Sequence, residues 1–484
     1  MGDHNGLLKL ILNHYRNTKQ IRSLEELRNE SELFPGVKFR RWFCMPAGVA
    51  LQFCVGSVYA FSVLNKPVDE HVDGMISNRT PITFTIAIAL LGFSAALMGP
   101  WLERNGPRKA ALLGTSLFFL GNLLASLALY LKWMWLIWIG YGLVGGAGIG
   151  LCYIAPVSAL QKWFPDRRGL ASGVAVAGFG SGSIAMAKVQ VWLLALVGLP
   201  STFLILGCIY FIVMALASFV LRSPPPNYQP KAMREIEQTK QNSISVADEQ
   251  TLITDLKSVD FRLMYLAFLA NIMFGLVLIS RFSNIVTDIF GRGKDEAASV
   301  VAINGGFNLA GRLIFSLFSD FVGRKNCYVF MLSTQLAILA IFSTLTDTKA
   351  YYPFLAAMWI LTSCYGAGFS VIPAFLSDKF GTYNVGACHG VILTAWSTAG
   401  IVGGIIFTLL FNDLNDPENP SNPFAYNVNS WWLLAVVVVG WGAALMVTPT
   451  ERDQLVWRFF MCRHETPQLE GSNKLKLEEV QPVQ

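Results

Sequence analysis

The chain has 484 residues, 53% of them hydrophobic and 14% charged, with a mean hydropathy of +0.47. Such a composition belongs in a bilayer and argues against an ordinary soluble domain. The formal net charge of +6 is spread along the chain, which argues against nucleic acid as a partner, and the eight cysteines include no CxxC pair, which argues against a disulfide frame or a metal site.

Residues 1–43 mix Lys, Arg, Glu and Leu. They read as a cytoplasmic tail with a short amphipathic helix, and no cleavable signal peptide is expected. About twelve apolar stretches of helical length follow, over 44–64, 81–102, 109–131, 134–161, 169–190, 199–221, 261–283, 297–319, 326–347, 351–377, 385–411 and 430–449. A polar, proline-initiated linker, 222–260, separates the first six from the last six. The fold expected is therefore all-α and membrane-integral, with one six-helix bundle over 44–221 and a second over 261–449. The tail 450–484 is polar again; its stretch from Val456 to Arg463 suits a membrane surface, with Cys462 a palmitoylation candidate.

Short-loop charge sets the orientation. One side holds Arg104, Arg108, Lys109, Lys162, Arg167, Arg168, Arg324, Lys325 and Lys379, and the other is poorer in bases and richer in acids. The basic side is expected to be cytoplasmic, with both tails on it. Asn78-Arg79-Thr80 is then a candidate glycosylation sequon in the first outer loop, although Pro81 follows directly. An internal repeat supports two related halves. Gly99 to Lys109 follows the second span and Ser316 to Lys325 follows the eighth; each sets an acid three residues before a glycine and then a basic pair. Gly106 and Gly323 suit tight turns. Glu103 and Asp320 sit at helix ends, where they can pair with Arg104, Arg108 or Arg324, or with the N-terminus of a neighbouring helix. These five residues are the candidate gate.

The eighth span carries the most telling pattern. Asn304, Asn308, Arg312, Ser316 and Asp320 recur every four residues, which on a helix makes one polar stripe. A charge facing lipid costs about 2.5–3.5 kcal/mol on insertion scales, so the stripe must face protein or a water-filled cavity. Arg312 lies too far from the helix end for its stem to reach water comfortably. It is the leading candidate for binding substrate. Tyr59, Tyr153, Tyr365, Phe369 and Trp396 are aromatic candidates for a cavity wall, and Tyr59 shares a face with Gln52 and Gly56. Arg281, near the outer end of the seventh span, is a second intramembrane-edge base. The small-residue repeats of the fourth and fifth spans read as packing faces, and His389 as a hydrogen-bonded structural histidine or one that titrates near neutrality. No acid lies deep in any span, so Arg312 suits an anion that neutralises it.

Longer runs carry a family resemblance. They are LQFCVGSVYAFSVLNKP in the first span, YGLVGGAGIGLCYIAPVSALQKWFPDRRGLASGVAVAGFGSG across the fourth and fifth, GGFNLAGRLIFSLFSDFVGRK in the eighth and IPAFLSDKFGTYNVGACHGV before the eleventh. The chain resembles major facilitator superfamily transporters of the oxalate:formate antiporter group, related more distantly to monocarboxylate transporters. That resemblance implies two six-helix bundles, alternating access and small carboxylates as substrates. It implies that Arg312 pairs the substrate carboxylate and that Tyr59 and Tyr153 line the cavity. Where the bacterial oxalate carrier has a lysine in the eleventh span, this chain has Trp396. One fixed cation suits a monocarboxylate of the formate, lactate or pyruvate type, unless Arg281 supplies a second charge for oxalate. The expected partners are a small organic anion and the lipid bilayer, with no cofactor, no enzymatic activity, a monomeric unit and the plasma membrane, or else an organelle membrane, as its site. A nutrient receptor of the same fold, or a carrier of neutral or cationic solutes with Arg312 structural, are the competing readings.

Overall fold

A computed structural model describes residues 4–16, 18–34, 36–75, 79–226, 228, 230, 251–414, 421–450 and 452–454. Asn78 of the sequon and the stretch around Cys462 lie outside the described residues. Twelve helices among those described are long and apolar enough to cross a membrane. They are Arg41–Asp73, Pro81–Asn105, Pro107–Leu131, Met134–Trp163, Arg168–Val197 and Leu199–Val220, then Val259–Ile279, Asp295–Val322, Arg324–Asp347, Tyr351–Phe380, Val385–Leu414 and Phe424–Met446. They are numbered below as spans 1 to 12.

The spans run longer than apolarity alone suggests, because buried polar residues at their ends are satisfied. Span 12 starts at Phe424 rather than 430. Asn427 there donates to Asp347 (2.8 Å) and accepts from Thr346 (2.6 Å), so its amide is at no disadvantage inside the helix. Both turns foreseen at glycine are present: Gly106 has φ +82° and Gly323 φ +94°, values that a side chain would strain.

Several spans are not regular α-helices. Span 1 tightens into a 3-10 helix over Ser57–Leu64, and span 4, after an α-helical turn at Met134–Ile137, runs through a π-helical stretch, Trp138–Gly145. Spans 7 and 11 carry π turns at Gly275–Ile279 and Ala399–Gly403. Such interruptions leave backbone groups free to shift partners.

The two halves meet chiefly along two helix pairs, span 2 with span 11 and span 5 with span 8. Glycine sets both spacings. A methyl group at Gly390 would lie 2.1 Å from the Ala95 carbonyl oxygen, and one at Gly173 would lie 1.8 Å from Ser316 Oγ. Neither site has room for alanine without separating the backbones. On the face bearing the basic loops, the N-terminal segment forms helices His4–Arg16 and Leu24–Ser31 and a short hairpin, Glu32–Phe34 with Val37–Lys38.

Candidate functional site

The polar stripe of span 8 faces protein. Asn304, Arg312 and Ser316 are all buried. Arg312, 2% exposed, donates from Nε to Asn308 Oδ1 one turn away (2.8 Å). Its Nη1 donates to the Val176 carbonyl of span 5 (3.0 Å), across the boundary between the halves. The Nη2 donors have no acceptor among the described residues. No carboxylate there lies within ion-pairing distance of this guanidinium either. Arg312 does not snorkel: its head is held at the interface between bundles.

Aromatic rings enclose it. The guanidinium carbon lies 5.3 Å from the centroid of Phe369 and 5.8 Å from that of Phe179. Such distances favour a cation over the ring faces. Trp396 packs on Phe369 at 4.7 Å, on Phe179 at 5.8 Å, on Tyr59 at 5.9 Å and on Tyr153 at 6.0 Å. Tyr59 and Tyr365 join hydroxyls across the two halves at 3.1 Å. The hydroxyl of Tyr153 and Nε1 of Trp396 are buried without a hydrogen-bond partner. Spans 1, 4, 5, 8, 10 and 11 thus contribute to one cage, which holds one unpaired cation and two unpaired donors.

The loops expected to form a gate lie at one end of the molecule and act through helix termini. Glu103, ending span 2, accepts from the Gly386 backbone N–H at the start of span 11 (2.7 Å) and pairs with Lys162. Asp320, near the end of span 8, accepts from the Gly169 and Leu170 N–H groups at the start of span 5 (both 3.2 Å). Each acid therefore holds the positive end of a helix dipole in the opposite half. Between them, Asp378 is bracketed by Arg168 of span 5 (2.6 Å) and Arg324 of span 9 (3.0 Å). Arg324 also pairs with Asp320 at 2.5 Å. Arg104 and Arg108 serve elsewhere: Arg104 donates to the His14 carbonyl of the N-terminal helix, and Arg108 to the Phe219 carbonyl.

With this geometry in hand, relatives place the chain. The sequence model described as Major Facilitator Superfamily matches residues 38–404. This chain belongs to that superfamily. It is an integral, multi-pass membrane transporter and not an enzyme. The facilitator is 26% identical over 363 residues to the uncharacterized MFS-type transporter YhjX of Escherichia coli, covering 75% of this chain and 86% of that one. It is 27% identical over 380 residues to the oxalate:formate antiporter of Oxalobacter formigenes, covering 76% and 84%. Among solved structures, the proton:xylose symporter XylE superposes with a TM-score of 0.65 at 15% identity, covering 86% of this facilitator and 99% of that chain.

Of the residues singled out by sequence, the facilitator brings Arg312, Tyr59, Tyr153, Tyr365, Phe369 and Trp396 together. Arg281 stands apart, its guanidinium 5.1 Å from the Phe407 ring. Phe179 escaped notice because it lies in a run of small residues that reads as packing. Yet it is the only aromatic between Gly169 and Ala185, and that isolation was the available signal. Gly56 makes room for it: a methyl group there would lie 2.2 Å from the Phe179 carbonyl oxygen. His389 is buried, and its Nδ1 has no hydrogen-bond partner among the described residues.

Proposed function

We propose that this facilitator carries small organic anions across the membrane by alternating access, with monocarboxylates of the formate, lactate or pyruvate type as its main cargo. One observation carries the reading: Arg312 is buried at the interface between the halves, caged by aromatic rings, with no carboxylate among the described residues to neutralise it. A buried, unpaired charge is unfavourable until something completes it. A substrate carboxylate can take the planar guanidinium fork, with Tyr153 OH and Trp396 Nε1 as further donors. The relative named as an oxalate:formate antiporter supports the anion class. Glu103 and Asp320 then act as catches that hold the cytoplasmic mouth shut and release when the halves rock.

The test is uptake of labelled formate, lactate, pyruvate and oxalate into proteoliposomes, with and without internal counter-anion. Saturable uptake of at least one monocarboxylate, blocked by competing anions, is expected. Trp396 gives an apolar wall that accepts a hydrocarbon end and leaves a second carboxylate unpaired. Trp396→Lys should therefore shift preference toward oxalate. Wild-type preference for oxalate over every monocarboxylate would refute the assignment of Trp396, and no uptake of any of the four would refute the reading itself.

A further inference from the structure

The N-terminal segment is tied to both halves of the facilitator across the seam of spans 2 and 11. Pro100 stands inside span 2 and has no N–H, so the Ala96 carbonyl one turn back lacks its helical donor. The Tyr15 hydroxyl donates to that carbonyl at 2.8 Å. His14 Nε2 lies 2.7 Å from the next carbonyl, that of Leu97, and its Nδ1 lies 2.9 Å from Arg104 Nη2. A carbonyl only accepts and a guanidinium only donates, so this ring is neutral, with its proton on Nε2. A few residues on, Thr18 Oγ1 donates to Asn384 Oδ1 at 2.9 Å, and Asn384 immediately precedes span 11 in the other half. Thr18 and Asn384 are both buried, and Asn384 also donates to Asp255 of the linker helix Leu252–Lys257. Helix His4–Arg16 packs on that linker helix as well as on span 2. Further along, Arg22 donates to the Pro224 carbonyl (2.6 Å), and Arg222 donates to those of Glu30 (2.7 Å) and Glu32 (2.9 Å), which anchors the segment to the end of the first half. The chain from Tyr15 to Thr18 reaches at most about 11 Å. Those two residues cannot follow spans 2 and 11 apart, so one contact must give way before the basic end opens there.

We infer that the N-terminal segment is a strap that holds the basic end shut, and that a proton on His14 releases it; the inference rests on the alternating-access part of the reading above and not on the carboxylate cargo. A proton can add to this ring only at Nδ1. There it removes the acceptor that Arg104 uses and sets a second cation against the guanidinium. The docked strap therefore favours the neutral ring, and acid on the side of the basic loops favours release. The charged and titratable groups around His14 are Lys9, Tyr15 and Arg16 on its own helix, Glu103 and Arg104 on span 2, and Asp255 and Lys257 on the linker helix. Glu103 is taken by Lys162 and Gly386, and Asp255 by Asn384, which leaves Arg104 as the charge against the ring. The proton stays on the strap and does not travel with cargo, so it changes how often the end opens and leaves the stoichiometry of transport alone.

The experiment uses the purified full-length protein at about pH 6 and 8, within the range where histidine titrates. Amide hydrogen exchange of residues 4–16 reports docking, and labelling of a cysteine placed just inside the basic end reports opening, each corrected for the pH dependence of its own chemistry. Wild type should lose protection about fivefold and label about fivefold faster at the lower pH, the weight of one hydrogen bond. His14→Gln offers a donor to Leu97 and an acceptor to Arg104 without titrating, and should stay docked and closed at both pH values. His14→Ala should be released at both. Thr18→Ala cuts the strap beyond the helix: labelling should rise at both pH values while the helix keeps its protection at the higher one. Asp255→Asn should keep the wild-type response. If a His14 variant does not fold, wild type and Thr18→Ala still decide. A wild type whose helix and labelling ignore pH would overturn the inference, as would a response that survives in His14→Gln or vanishes in Asp255→Asn. Unchanged labelling in Thr18→Ala, with faster labelling in Glu103→Ala, would show that the segment is no strap. No labelling in any variant at either pH would overturn the alternating-access reading and this inference with it.

Discussion

Arg312 and Arg324 are both buried, at 2% and 0% exposure, yet their surroundings are opposite. Arg324 meets two carboxylates, Asp320 and Asp378, and donates to Ser319 as well. Arg312 meets none. A buried cation is thus not in itself a sign of function; what distinguishes a clamp from a binding site is whether the protein supplies the counter-charge. The largest effect that tests this contrast is loss of binding in Arg312→Ala. Removing a desolvated charge partner costs about 3–5 kcal/mol, about two to four decades of affinity. Radiolabelled uptake should fall accordingly, while thermal stability holds, since no acid is left unpaired. Arg312→Lys keeps the charge without the fork and should lose less.

Arg324→Leu should do the reverse. It strips one partner from two acids, and breaking a buried pair costs about 3–5 kcal/mol. Arg168 still serves Asp378 and Arg452 still reaches Asp320, which puts the loss at the low end. Differential scanning fluorimetry should show the drop in Tm, with anion affinity changed only a few-fold. A variant whose stability is intact would mean that the clamp is redundant.

Smaller again are the catches. Glu103→Ala and Asp320→Ala each remove the hydrogen bonds that a helix N-terminus donates to a carboxylate, and these bonds contribute about 1–3 kcal/mol to keeping the mouth closed, apart from the ion pairs lost with Lys162 or with Arg324 and Arg452. Cysteines placed just inside the basic end should label faster in both variants, and unchanged labelling in both would reduce the loops to turn chemistry.

The mildest test uses an acid that mirrors Arg312, buried without a base. Asp255, in the linker helix, has an unpaired Oδ2, and burial raises its carboxyl to about 6, against the opposing hydrogen bond from Asn384. The folded state therefore binds that proton more tightly than the unfolded chain does. Ionisation opposes folding, fully so above about pH 6, and the penalty fades as pH falls toward about 4. Asp255→Asn should melt a few degrees higher than wild type at about pH 7.5, with the advantage shrinking over that window. A constant difference across pH would show that the acid is not the cause.

Much of this was legible in the sequence. The four-residue spacing of Asn304, Asn308, Arg312, Ser316 and Asp320 requires a polar face on span 8 whatever the tertiary structure, and the repeated loops pointed to two halves. Convergence was not legible. Tyr59, Tyr153, Phe179, Tyr365 and Trp396 are separated by whole spans, and each alone is as suited to core as to cavity. The partners of Glu103 were hidden for a further reason: Gly386 contributes a peptide N–H, which leaves no trace in residue identity.

That last point reaches into genetics. A salt bridge between two side chains can be demonstrated by swapping the charges and recovering function. The catches at Glu103 and Asp320 close largely on main chain, at Gly386 and at Gly169 and Leu170. No second-site charge in spans 5 or 11 can replace a peptide donor. A swap of Glu103 with Lys162 would restore that ion pair but turn an ammonium group toward the helix N-terminus. Suppressors of a lost catch should therefore arise away from the contact, among substitutions that disfavour the open mouth, and reciprocal charge reversal should fail as a rescue.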